Sequence, residues 1–64
     1  MIENRVADLR KEQNMTQQGL SVAIGISHPA LSAIENGTVP KGDTMLRLSR
    51  ELGRPVNEIF LIQM

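Results

Sequence analysis

His28, Ser32 and Asn36 stand four residues apart, so a helix through them carries all three on one side, with Pro29 and Ala33 beside them. Such a face offers short hydrogen-bonding groups and small apolar surfaces to a partner that approaches closely. It does not offer catalysis. One His in a chain with no Cys and no Tyr supplies neither a nucleophile–base pair nor a metal cluster, and the Asp and Glu residues are scattered along helix surfaces. No glycine-rich phosphate loop follows a strand pattern. The chain is therefore not expected to be an enzyme, and no metal or cofactor is expected.

Positioning that face takes two helices. Thr16 is a good N-cap, Leu20, Ala23 and Ile24 recur at helical spacing, and Gly25 sits where a helix needs left-handed geometry to stop. A first motif helix is thus predicted from about Gln17 to Ile24. Ile26 suits the apolar contact that closes such a stop, and Ser27 then begins a second helix that ends at Gly37. At about 100° per residue, Ala30, Leu31 and Ile34 face the core, opposite His28, Pro29, Ser32, Ala33 and Asn36. Proline pushes the residue before it out of the α region, so a second start is open, with His28 as the cap and Pro29 as the first helical residue.

Two helices around a short glycine turn form the DNA-binding helix-turn-helix geometry. A narrow face without long charged side chains suits entry into a major groove, where His28, Ser32 and Asn36 meet base edges or phosphates and Pro29 and Ala33 meet thymine methyls. An exposed helix whose residues merely happen to be short is the competing case, although such a face more often carries Lys and Glu at i, i+4.

Sixty-four residues make one domain with a modest core, for which a partner subunit is the expected help. The absence of Cys excludes disulfides and fits a reducing compartment. With no long apolar run and no signal-peptide pattern, a soluble, cytoplasmic chain with no membrane partner is expected. Seven basic and seven acidic residues give a net charge of zero, which weighs against strong phosphate neutralisation. Between Asn14 and Gly42 the formal charges are Glu35 and Lys41. Phosphates are then expected to meet backbone N–H groups at the helix starts, with help from Arg10, Lys11 and Lys41. About two to four phosphates per subunit, each contributing a slope near −0.9, make a shallow salt dependence.

The remaining segments read as scaffold. A helix from roughly Glu3 to Gln13 buries Ile2, Val6 and Leu9, and another from about Asp43 to Leu52 buries Met45, Leu48 and Leu52. Gly53-Arg54-Pro55 breaks the chain, and Pro55 starts a last short helix through Phe60. The expected class is all-α with five short helices and no internal repeat. Residues 58–64 are too apolar for a free tail and read either as a short C-terminal strand or as a helix extension, in both cases needing cover.

In NRVADLR (Asn4–Arg10), TQQGLS (Thr16–Ser21), GIS (Gly25–Ser27), LSAIENG (Leu31–Gly37), LRLSRELG (Leu46–Gly53) and EIF (Glu58–Phe60), the chain resembles the Cro/repressor, Xre-like type of helix-turn-helix. The resemblance runs from about Asn4 to Phe60. It implies a lambda-repressor-like DNA-binding domain that regulates transcription, by expectation as a repressor. By the same resemblance, double-stranded DNA is met by Thr16, Gln17, Gln18, Ser27, His28, Pro29, Ser32, Ala33, Asn36, Thr38 and Lys41. Gln17 matches a glutamine that braces both a phosphate and the recognition helix.

Glu35 near the end of its helix asks for a nearby cation. In relatives an arginine at the end of the first helix fills that need, so Arg10 and Glu35 are expected to clamp the recognition helix, against the alternative of two solvated charges. Small regulators of this type commonly dimerise, and Ile2, Phe60, Leu61, Ile62 and Met64 are the expected homodimer contact. A segment folded back on its own core is the alternative. A dimer reads an inverted repeat with recognition helices about 34–36 Å apart.

Departures from the family pattern are Pro29 and His28, where relatives carry Gln and a longer polar or basic residue, and Gly19 in place of a capping-box Glu or Gln. Lys41 and Gly42 replace a Ser cap and an apolar residue, which predicts a looser loop over 38–42. The neutral charge and Pro29 keep a second class open: a protein-interaction module, such as an antitoxin with autoregulatory or lost DNA binding.

Overall fold

Thr16 and Ser27 start the two motif helices by the same device. The Thr16 hydroxyl oxygen accepts the Gly19 N–H at 2.9 Å, and the Ser27 hydroxyl oxygen accepts the Ala30 N–H at 3.2 Å. The computed structural model describes residues 2–62, the side chains of Ile2 and Ile62 excepted; Met64 lies outside the described residues. The order is β1 (Ile2–Asn4), α1 (Val6–Glu12), α2 (Gln17–Ile24), α3 (His28–Glu35), α4 (Gly42–Leu52), α5 (Val56–Ile59) and β2 (Phe60–Ile62).

Gly25 ends α2 at φ 74°, a left-handed conformation that costs a Cβ-bearing residue energy. The Gly25 N–H donates to Val22 O at 3.2 Å and the Ile26 N–H to Ser21 O at 3.0 Å, the paired bonds of a Schellman stop. Ile26 then packs against the core, so the turn is short and its angle fixed.

The predicted first helix over Glu3–Gln13 is corrected at its start. Ile2–Asn4 is a strand, antiparallel to β2 with Ile2 opposite Ile62, Glu3 opposite Leu61 and Asn4 opposite Phe60. The Arg5 N–H adds a bond to Ile59 O at 2.8 Å. Backbone pairing with a segment at the far end of the chain overrides local helix propensity here. Asn4 then manages the change to helix, its Oδ1 accepting the Val6 N–H at 3.2 Å. At the other end, α5 stops at Ile59 with Pro55 as its cap, and Phe60 has already entered the strand. Phe60–Ile62 is thus strand, paired with β1 of its own chain.

Val6, Leu9, Leu20, Ile24, Leu31, Ile34, Leu48, Leu52, Ile59 and Phe60 form one core to which every helix contributes. Met45, expected inside, is only half-buried. Ala30 is a second correction: it is exposed, because the core touches α3 along the narrow stripe of Leu31 and Ile34. Two long-range side-chain bonds tie helix ends to the scaffold. Gln13 Nε2 donates to Leu52 O at 2.7 Å, and Arg47 Nη1 donates to Ile24 O at 3.3 Å. Both supply donors to carbonyls that a helix end leaves unpaired.

Candidate nucleic-acid interface

Four side chains connect the scaffold to the outer end of α3. Arg10 on α1 donates through Nε to Glu35 Oε2 at 2.8 Å, through Nη2 to Glu35 Oε1 at 3.3 Å, and through Nη1 to Met15 O at 2.9 Å. Gln17, the first residue of α2, donates through Nε2 to the same Glu35 Oε1 at 2.8 Å. Its Oε1 lies 2.8 Å from His28 Nε2, on the first residue of α3. Glu35 and His28 mark the two ends of α3, so this network holds the helix at both ends. Asn4 adds a third restraint, donating from Nδ2 to Ile34 O at 2.8 Å.

The Arg10 and Glu35 side chains are only 11% and 7% exposed. Burial opposes the Glu35 charge and is the largest single influence on it. The hydrogen bonds from Arg10 and Gln17, with the charges of Arg10 and Lys11, outweigh burial and hold the carboxyl below its usual 4.5. A buried pair of this kind adds little net stability over an apolar replacement, yet breaking it leaves an uncompensated charge. Its contribution is geometric: a forked guanidinium bonded to both carboxylate oxygens fixes direction as well as distance.

Beyond the network, His28, Pro29, Ala33 and Asn36 are exposed on the outer side of α3 and Ser32 is half-buried. Thr16 and Gln18 are exposed at the start of α2, with Gln17 half-buried between them. Ser27 caps α3 and His28 is its first helical residue, so the alternative start at Pro29 is corrected. Proline's missing N–H costs nothing in a first turn, and the Ser27 cap together with the His28–Gln17 bond holds His28 helical despite the following proline.

Compared with the start of α3, the start of α2 leaves more backbone N–H groups free. There the Gln17 and Gln18 N–H groups precede the first intrahelical bond, whereas Pro29 removes one of the corresponding donors from α3. The Thr16 and Ser27 hydroxyls accept from their helices and keep their own O–H to donate. Thr38 and Lys41 are exposed after α3, and Lys41 occupies the cap position of α4 with no side-chain cap bond. Arg10, expected among the phosphate contacts, instead bonds inward through all three of its nitrogens, to Glu35 and Met15 O.

Asn4, Gln13 and Arg47 were not foreseen as positioning residues. For Asn4 a local signal existed, an Asx-type side chain two residues before a helix start. For Gln13 and Arg47 the partners are distant carbonyls and the sequence carries no signal.

No helix among the described residues is long and apolar enough to cross a membrane, and no group of three His, Cys, Asp or Glu residues there is placed to hold a metal. A comparison with curated proteins finds no match. The family model described as helix-turn-helix matches residues 6–59, from the start of α1 to the end of α5. With its capped helix pair, glycine turn and buried brace behind α3, the chain belongs to the Cro/C1-type, Xre-like helix-turn-helix family of DNA-binding regulators.

Proposed function

We propose that this regulator is a sequence-specific repressor that binds an inverted-repeat operator as a homodimer, with α3 in the major groove. The observation that carries this reading is the small, uncharged outer face of α3, held at both ends by the Arg10–Glu35–Gln17–His28 network. A groove-reading helix needs a fixed angle more than it needs charge. Thr16, Gln17, Gln18, Ser27, Thr38 and Lys41 flank that face and supply the positioning contacts to phosphate, while His28, Pro29, Ser32, Ala33 and Asn36 approach the bases.

The dimer is supported by the way the termini meet. Pairing of β1 with β2 places Ile2 opposite Ile62, and Leu61 next to them is half-buried. Phe60, at 8% exposure, belongs to its own core, and strand alternation puts the half-buried Leu61 on the opposite face of the ribbon, where a second copy can meet it. A chain measuring 32 × 20 × 18 Å suits a symmetric pair whose recognition helices lie one helical turn apart, about 34–36 Å. Val22 and Leu46, 68% and 66% exposed, favour a second reading in which a protein partner docks away from α3.

Selection of duplexes from a randomised pool near physiological salt, with the mass of each complex recorded, tests the proposal. A two-fold symmetric site carrying two chains is the expected result. No enrichment over the starting pool refutes it and favours the protein partner.

A further inference from the structure

We propose that His28 is a specificity-determining residue whose Nδ1 is held as a hydrogen-bond acceptor toward DNA, its tautomer dictated from Arg10 through Glu35 and Gln17. The inference rests on the DNA-reading role proposed above and deepens it to one atom. Each link has only one allowed polarity. A guanidinium only donates and a carboxylate only accepts, so the Gln17 amide must turn its nitrogen, not its oxygen, to Glu35 Oε1, 2.8 Å away. Its carbonyl oxygen is thereby turned to His28 Nε2 at 2.8 Å. A carbonyl only accepts, so Nε2 carries the proton, and in the neutral ring Nδ1 carries a lone pair.

His28 is exposed at the first position of α3, and no protein group among the described residues engages Nδ1. In the major groove a lone acceptor pairs with an exocyclic amino group, N6 of adenine or N4 of cytosine. It is repelled by the O6 and N7 of guanine and by the O4 of thymine. His28 therefore selects an amino-bearing base on the strand it faces. The neighbouring Pro29 has no hydrogen to donate, so it does not blur that choice.

Two measurements test this. In the free protein, at a pH where the ring resonances are those of neutral imidazole, long-range 15N–1H correlations should show one tautomer, protonated at Nε2. The Gln17→Met variant, checked for folding by its amide spectrum, should show a mixture. A wild-type mixture, or an unchanged single tautomer in Gln17→Met, overturns the relay. On the selected operator, each adenine is replaced in turn by purine, and each cytosine by 2-pyrimidinone, to delete one amino group at a time.

At one position per half-site the wild-type protein should lose roughly tenfold in affinity, about one hydrogen bond, and His28→Ala should be indifferent there. Binding that tolerates every such deletion, or that His28→Ala loses in the same pattern, overturns the specificity role while leaving DNA binding intact. Failure to select any duplex overturns the function and this inference together.

Discussion

Replacing Glu35 by Gln should cost far more than loss of a surface charge. The carboxylate gives two oxygens to three donors, Arg10 Nε and Nη2 and Gln17 Nε2. An amide offers one oxygen and turns an NH2 toward a donor, leaving the Arg10 charge, 11% exposed, with little beyond Met15 O. The expected loss is about 3–5 kcal/mol. A chain of 64 residues has roughly 3–10 kcal/mol in total, so the loss is a large fraction of the stability and should move the unfolding midpoint to much lower urea.

Arg10→Met should cost a similar amount by stranding the carboxylate. The double variant Arg10→Met/Glu35→Leu should recover most of the loss, because an apolar pair of similar volume carries no desolvation penalty. Urea denaturation of wild type, Arg10→Met, Glu35→Leu and the double variant gives the coupling energy directly. Single-variant losses below about 1 kcal/mol would mean that the pair behaves as an exposed one, and would refute the reasoning. The stable double variant should still bind DNA poorly, since Gln17 has lost the acceptor that orients it.

The same pair sets the acid sensitivity. Because the Glu35 carboxyl is held below 4.5, its contribution is fully present above that value and is lost as pH falls through the lower folded value. The stability gap between wild type and Glu35→Gln should therefore be constant near neutrality and close below about pH 4.5. A gap that closes between pH 6 and 8 contradicts this assignment.

Three further outcomes follow from the site and the turn. Ala33→Glu, on the exposed face of α3, should abolish DNA binding with an unchanged melting temperature, measured by gel shift and thermal melting. Gly25→Ala meets no clash, since its nearest new neighbour is Arg47 Nη1 at 3.5 Å, but at φ 74° it should lose about 1–2 kcal/mol in urea denaturation. Titration of binding with salt should give a slope corresponding to about two to four phosphates per subunit, toward the lower end now that Arg10 faces inward. A slope corresponding to many more would point to a basic surface that this chain does not carry.

What the sequence made legible was whatever closes within a few residues. Thr16 and Ser27 bond N–H groups three positions ahead, and Gly25 and Ile26 bond carbonyls three and five positions back, so composition and spacing were enough to place the motif. The strand at Ile2–Asn4 was missed because its partner is β2, and Ala30 was misplaced because a helical wheel shows which residues share a side but not how wide a stripe the core covers.

The neutral net charge is no obstacle to DNA binding, because of where the individual charges sit. Glu35, the motif's own anion, is hidden and matched by Arg10, so the outer face of α3 itself, from His28 to Asn36, exposes neither a carboxylate nor a cationic Lys or Arg. Weak attraction for any DNA leaves discrimination to base contacts, and it is the ratio of specific to non-specific binding that decides where a regulator sits among competing sites. A face this sparse works only if each group on it presents one fixed polarity, which is what the buried pair behind α3 imposes on Gln17 and, through it, on His28.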